Sequence, residues 1–234
     1  MKNDQWQEEM SERVEAERQA YRGPHCCMTM HYELLSDEGV LLYNPQFREY
    51  GIKPYKSKNY LVMKHCMVCG KRLPASLQST WFKVLKDEYQ LTDPMGKDKK
   101  LIPKKFLSEE WWNPDKTLNN YRVGEDIFNT IKVEDFDYVT THCCDLMDWE
   151  LLNNSSPLMY TAKYREYDVK ILNSEVSAAA DYCIFCGKNL PESVRDEWYD
   201  ILEQEYALEG SCEEDKKKAP AEFFSDEWWK VRGL

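Results

Sequence analysis

Apolar residues recur along this chain at helical spacing, and the pattern is written twice. Val194, Trp198, Ile201, Leu202 and Tyr206 fall on one face of a predicted helix. Leu77, Trp81, Val84, Leu85 and Tyr89 repeat that face earlier in the chain. Pro191 suits the entrance of the later helix. Before each helix come short runs that read as strands, MHYELL and LLYNPQFREYGI first, then MDWELL and LMYTAKYREYDVKIL. After each helix a Lys-rich loop leads into FLSEEWW or FFSDEWW. There Ser108 or Ser225 can cap a short closing helix whose first turn carries acids. Residues 1–22 predict one more helix, with Trp6, Met10 and Val14 four apart and Tyr21 beyond them, stopped by Gly23-Pro24. Its narrow apolar stripe is expected to dock on its own domain, with a partner-binding or dimerising arm as the alternative.

The repetition extends to the whole unit. HCCMTMHYELL from His25 aligns with HCCDLMDWELL from His142, and Cys66 and Cys69 then fall on Cys183 and Cys186 without a gap. Pro74 falls on Pro191, Trp81 on Trp198, Pro103 on Pro220 and Trp111-Trp112 on Trp228-Trp229. About 35 of 90 paired positions are identical, which marks a tandem duplication. The expected organisation is an N-terminal helix at 1–22, a first unit at 25–115, a linker at 116–141 and a second unit at 142–234. Ile131, Val133 and Phe136 suggest a short strand within the linker. The fold class expected is α+β: two homologous small zinc-stapled domains, each a short sheet plus helices.

A residue kept in both copies is required by the unit, and this filter isolates the cysteines. His65 becomes Tyr182 and His31 becomes Asp148, whereas His25, His142 and eight of nine cysteines persist. Cys212 stands opposite Met95 and reads as an ordinary free thiol. Cys66-Met67-Val68-Cys69-Gly70-Lys71 and Cys183-Ile184-Phe185-Cys186-Gly187-Lys188 have knuckle spacing, which lets two sulfurs reach one tetrahedral ion while the glycine permits the turn. Each is preceded by an HCC. The candidate ligands are Cys26, Cys27, Cys66 and Cys69, and Cys143, Cys144, Cys183 and Cys186, with His25 and His142 as alternates because adjacent cysteines on one ion need an awkward backbone. A sulfur-rich set favours zinc, two ions per chain, and filling every position with protein marks a structural site. A redox CxxC belongs at a helix N-terminus, but Gly-Lys-x-Leu-Pro separates these motifs from their helices. Metal binding also stabilises units too small to bury a large core.

Charge narrows the partners. Among 234 residues, Lys and Arg total 31 against 42 Asp and Glu, a net charge of -11. Such a surface disfavours nucleic acid and anionic membrane and suits a basic protein. The first residues are too polar for a signal peptide, and no apolar run reaches a membrane span. A cytoplasmic location is expected, where cysteines bind metal rather than form disulfides. No Walker loop, GxSxG, HExxH or GxGxxG occurs, and four His form no catalytic arrangement, so no enzyme is expected. Trp81 and Trp198 are expected in the core. Of each closing Trp pair, one is expected to plug the core while the other, Trp112 or Trp229, covers the knuckle or meets a partner.

The combination of HCCxxM, CxxCGKxLP, DEWY and a terminal SDEWW resembles a family of small bacterial and phage-associated cysteine-rich proteins with the signature HCC, CPWCGKxLP, RDEWF and a closing WW. The resemblance covers nearly all of 25–115 and 142–234. Cys183, Cys186, Gly187, Lys188, Leu190, Pro191, Arg195, Asp196, Glu197 and Trp198 fit best. The first copy departs, with Gln78-Ser79-Thr80-Trp81 in place of the RDEW run. Asp196 and Glu197 join Trp112 and Trp229 as partner-binding candidates. The resemblance implies a zinc-bearing fold. Some proteins of this kind look like immunity proteins, cytosolic inhibitors of antibacterial toxins. The function expected is a non-enzymatic inhibitor of a basic cognate toxin; an ADP-ribosyltransferase is the class named, a choice the residues themselves do not carry. The alternatives are a zinc-ribbon-like nucleic-acid or transcription-associated adaptor, and a purely structural or phage-accessory protein.

Overall fold

A computed structural model describes residues 23, 25–56, 58–114, 141–171, 176–208 and 213–234. The helix expected at 1–22, the strand expected in the linker and Cys212 lie outside the described residues.

In the first unit, helix α1 (Met28–Leu35) leads to strands β1 (Leu41–Asn44), β2 (Glu49–Ile52) and β3 (Leu61–Val62), then to helix α2 (Gln78–Tyr89). Short 3-10 turns at Lys99–Leu101, Lys104–Leu107 and Glu109–Trp111 close it. The second unit repeats the order. Helix α3 (Asp145–Leu152) precedes β4 (Leu158–Thr161), β5 (Glu166–Lys170) and β6 (Ser177–Ala179). Helices α4 (Arg195–Tyr206), α5 (Glu213–Lys216) and α6 (Glu227–Arg232) follow. Each sheet is a three-stranded antiparallel meander in sequence order. The class is α+β, in two repeated domains, as the sequence pattern predicts.

One expectation is corrected. MHYELL and MDWELL are helical, not strand-like. Met30, Tyr32 and Leu34 alternate as a strand would, but Met30 and Leu34 are also four apart, and a run this short satisfies both periods. Local chemistry decides for the helix in the first unit. Cys27 stands at the N-cap in extended conformation and its sulfur accepts from the Met30 amide at 3.4 Å. Met30 is then fully buried while Tyr32 and Leu35 face solvent.

The expected core tryptophans are there. Trp81 and Trp198 are fully buried, and their indole N–H groups donate to the carbonyls of Phe106 and Phe223, both at 2.9 Å. Phe47, Leu85, Leu91 and Phe106 surround Trp81. Tyr164, Leu202, Phe223 and Trp228 surround Trp198. A third cluster lies between these helical lobes and draws on both units. It includes Met30, Leu41, Tyr50, Cys66 and Met67 of the first with Met147, Val169, Cys183 and Ile184 of the second.

The knuckles are joined across that central core by reciprocal hydrogen bonds. The Lys64 and His65 amides donate to the Ile184 carbonyl at 2.9 and 3.0 Å. The Asp181 and Tyr182 amides donate to the Met67 carbonyl at 3.0 and 2.9 Å. Residues 64, 65 and 67 correspond to 181, 182 and 184, so each unit gives the other what it receives. This is the isologous geometry of a two-fold dimer, realised within one chain.

Candidate metal centres

Each cysteine cluster is assembled from two local structures. The upstream pair sits where the chain enters α1 or α3, with Cys27 and Cys144 at the N-caps. Both caps are in extended conformation, and the second pair closes the set. That second pair lies on a tight hairpin. An antiparallel bridge joins His65 to Arg72, and Tyr182 to Asn189. Within it the Gly70 amide donates to the Cys66 carbonyl at 3.0 Å, and the Gly187 amide to the Cys183 carbonyl at 2.9 Å. Gly70 and Gly187 have φ of +67° and +73°, a left-handed turn that glycine adopts without the Cβ penalty.

The turn also aims amides at sulfur. The Val68 amide donates to Cys66 Sγ at 3.4 Å, and the Phe185 and Cys186 amides to Cys183 Sγ at 3.4 and 3.5 Å. These bonds favour thiolate over thiol. Hydrogen bonds from Cys26, Cys27 and Cys66 hold Cys69 far below the ordinary thiol range. In the second cluster the hydrogen bond from Cys143 leads the contributions that bring Cys183 down to about 5. Cys26 and Cys143 are pushed up instead, by the hydrogen bonds they make with neighbouring cysteines and by burial. Sulfurs so crowded share protons until a cation replaces them.

The distances fit a tetrahedral metal. Cys26, Cys27, Cys66 and Cys69 place their sulfurs within 4.8 Å of one another, as do Cys143, Cys144, Cys183 and Cys186. Cys27 to Cys66 is 3.9 Å, Cys26 to Cys69 is 3.7 Å and Cys144 to Cys183 is 3.8 Å. Four sulfurs about 2.3 Å from a central ion stand about 3.8 Å apart. A disulfide needs about 2.05 Å, and these eight cysteines are free thiols. Each cluster can hold one metal ion, two in all.

His25 and His142 take a different position. His25 Nδ1 meets the Tyr50 hydroxyl at 3.0 Å, and His142 Nδ1 meets the Tyr167 hydroxyl at 2.7 Å. Neither ring belongs to a four-sulfur cluster. Burial, reinforced by His31, lowers His25 to about 4. Burial also lowers His142, against the pull of Asp148. Each ring instead holds a strand tyrosine, Tyr50 or Tyr167.

That tyrosine ends a run the sequence marks but does not interpret, Arg48-Glu49-Tyr50 and Arg165-Glu166-Tyr167. Arg48 and Arg165 have φ of 54° and 55°, uncommon for residues with a Cβ. Arg48 Nε and Nη2 donate to the Ala75 carbonyl at 3.2 and 2.9 Å, and Arg165 Nε to the Glu192 carbonyl at 2.8 Å. Glu49 and Glu166 accept the hydroxyls of Ser76 and Ser193. The run therefore ties each hairpin to the loop between knuckle and helix. Exact repetition of three adjacent polar residues is the signal that identifies it.

The remaining candidates lie away from the clusters. Trp111 and Trp112 donate to the Gln46 and Pro45 carbonyls at 2.7 and 2.8 Å, and Trp228 and Trp229 to those of Lys163 and Ala162 at the same distances. The arginine of the repeated run stacks on the outer ring, Arg48 5.9 Å from Trp112 and Arg165 5.3 Å from Trp229. Trp112 and Trp229 thus brace the hairpin turn and remain half-buried. Asp196 and Glu197 are exposed in the first turn of α4, where the helix dipole favours acids.

Among the described residues no helix is long and apolar enough to cross a membrane. No curated protein and no solved structure was found to match. A family profile matches twice, at residues 24–114 and 133–231, in step with the two metal centres. The chain belongs to the family of the domain of unknown function DUF6980, as a tandem pair.

Proposed function

We propose that the eight cysteines bind two structural zinc ions and that the folded chain acts without catalysis, as a cytoplasmic inhibitor that binds and neutralises a basic toxin. The observation that carries this reading is the closed four-sulfur cluster, present twice. Thiolates on all four corners leave no corner for water or substrate, which suits a staple rather than a catalyst. Zinc is the ion this ligand set and edge length favour. What the staples hold together is an acidic molecule of net charge -11. Acidic surfaces steer basic proteins into encounter, and this one adds aromatic anchors at its edge. Trp149 and Tyr32 occupy equivalent positions on α3 and α1 and are 63% and 62% exposed.

The test uses the full tagged chain. Metal analysis is expected to give two zinc ions per chain. Capture from the source cells at low and high salt is expected to retain one stoichiometric basic protein through the high-salt wash. Expressing that protein alone is expected to arrest growth, and co-expressing this chain to restore it. Nucleic acid that leaves at high salt would favour the adaptor reading instead. Capture of a basic protein whose toxicity this chain does not relieve would overturn the inhibitor reading.

A further inference from the structure

The two units act as each other's control at one place beside the sheet. In the first, one edge of the Tyr60 ring lies against Gly51: a Cβ on that glycine would come within 2.6 Å of its Cδ2. The Tyr60 hydroxyl donates to Glu49 and accepts from Asn44 Nδ2 at 2.9 Å. Beneath this plug all four residues of β2 are buried.

The second unit keeps the backbone and loses the plug. Gly51 pairs with Val62 and Asp168 with Ala179, the same register one repeat apart. Asp168 stands for Gly51, Ser177 for Tyr60 and Thr161 for Asn44. Only Val169 of β5 is buried. The counterparts of two residues that Tyr60 touches, Asp168 for Gly51 and Glu166 for Glu49, border a cavity of about 470 Å³. Asp181, Tyr182 and Glu192 also line it, with Val68 of the first knuckle. Roughly 300–1,000 Å³ is the size of sites that take small molecules or single side chains.

The charges select the occupant. Four carboxylates border the cavity, from Glu166, Asp168, Asp181 and Glu192, against the guanidinium groups of Arg165 and Arg195. Both guanidinium groups are committed. Arg195 forks onto Glu166, with Nε at 2.7 Å from Oε1, and stacks 4.0 Å from the Tyr164 ring. Arg165 is held by the Glu192 carbonyl and lies over Trp229. For Glu166, burial works against ionisation but the Arg195 and Ser193 hydrogen bonds win, and it titrates below its ordinary range. Asp168 is left with the opposite balance: burial and the charge of Glu166 push it up, and neither the Ser177 hydrogen bond nor the charge of Arg195 compensates. A phenol like that of Tyr60 no longer fits, because the Asp168 side chain begins where its ring edge would be. Anions meet a surplus of carboxylates.

We propose that this cavity binds an organic cation bearing N–H donors, a guanidinium or a primary ammonium, paired with Asp168 beside the position that Tyr60 holds in the first unit. Such a group is carried by the arginine or lysine side chain of a polypeptide and by free guanidines and amines. The site does not depend on the inhibitor reading: it stands if no toxin is ever captured.

The test is calorimetric titration of the metal-loaded full chain with agmatine, with the amide of Gly-Arg-Gly, and with citrate as an anionic control. Both cations are expected to bind saturably below about 1 mM, and citrate not at all. Tighter binding of the peptide would assign the site to a polypeptide side chain, and tighter binding of agmatine to a free small molecule. Asp168→Asn is expected to weaken the cation about tenfold or more. Asp168→Gly with Ser177→Tyr rebuilds the plug of the first unit and is expected to abolish binding while metal content and circular dichroism stay unchanged. Failure of both cations to bind, or binding that survives in the plugged variant or in Asp168→Asn, would overturn the proposal.

Discussion

Gly187 answers two demands at one atom. Its φ of +73° costs a residue with a Cβ about 1–2 kcal/mol, and a Cβ there would come within 2.6 Å of the His65 ring from the other unit. Gly233 has nearly the same φ, +72°, but nothing within 4 Å. Gly187→Ala is therefore expected to cost about 3 kcal/mol, the conformational term plus overpacking, whereas Gly233→Ala costs about 1 kcal/mol. Urea denaturation of both variants measures the difference; equal losses would mean that the inter-unit ring contact contributes nothing. The turn itself is legible in the CxxCG spacing. The ring is not, because comparing copies discards His65 and Tyr182 for differing. They differ because each packs on the opposite unit, His65 against Gly187 and Tyr182 against Gly70. Identity between copies finds what each unit needs alone and misses what the units need from each other. His25 and His142 show the converse: both persist, yet their Nδ1 atoms serve Tyr50 and Tyr167.

At the level of elements, the hairpin turns depend on tryptophans from the far end of each unit. Trp228 is fully buried and donates to the Lys163 carbonyl, while half-buried Trp229 donates to that of Ala162. Trp198→Phe is expected to cost about 2–3 kcal/mol, because it strands the buried Phe223 carbonyl and leaves a void beside Leu202. Trp229→Phe leaves a more accessible carbonyl and a smaller void, so about 1 kcal/mol is expected. Equilibrium unfolding followed by far-ultraviolet circular dichroism ranks them; the reverse order would deny Trp198 its place at the centre of the lobe. The long amphipathic helices α2 and α4 are legible because twelve residues define a period of 3.6 without ambiguity. The eight-residue helices α1 and α3 are not. Their apolar positions fit both periods, and the cap that decides α1 is a cysteine sulfur, which no list of common cap residues contains.

Across the whole molecule, the duplication is written in the sequence but the joint between its halves is not, since backbone hydrogen bonds between knuckles leave no side-chain signature. Four amide donors cross that joint, two onto Met67 and two onto Ile184, the residue that follows the leading cysteine of each turn. The donors lie in the segment that runs directly into their own unit's knuckle, Lys64 and His65 before Cys66, Asp181 and Tyr182 before Cys183. A metal ion bound in one cluster would thus fix the amides that hold the other turn. Net hydrogen bonds contribute about 1 kcal/mol each, and a factor of ten in affinity is about 1.4 kcal/mol. Replacing Cys183 and Cys186 by serine should free the two amides that grip Met67. The surviving Cys26, Cys27, Cys66 and Cys69 site is then expected to bind zinc about tenfold more weakly than in the parent chain. The reciprocal variant, Cys66→Ser with Cys69→Ser, is expected to weaken the second site by a similar factor. Competition against a chromophoric chelator at fixed pH reads both constants. Unchanged affinity in either remaining site would make the units independent beads on one chain. A loss in both directions would make the pair a single body in which neither metal centre is complete without the other.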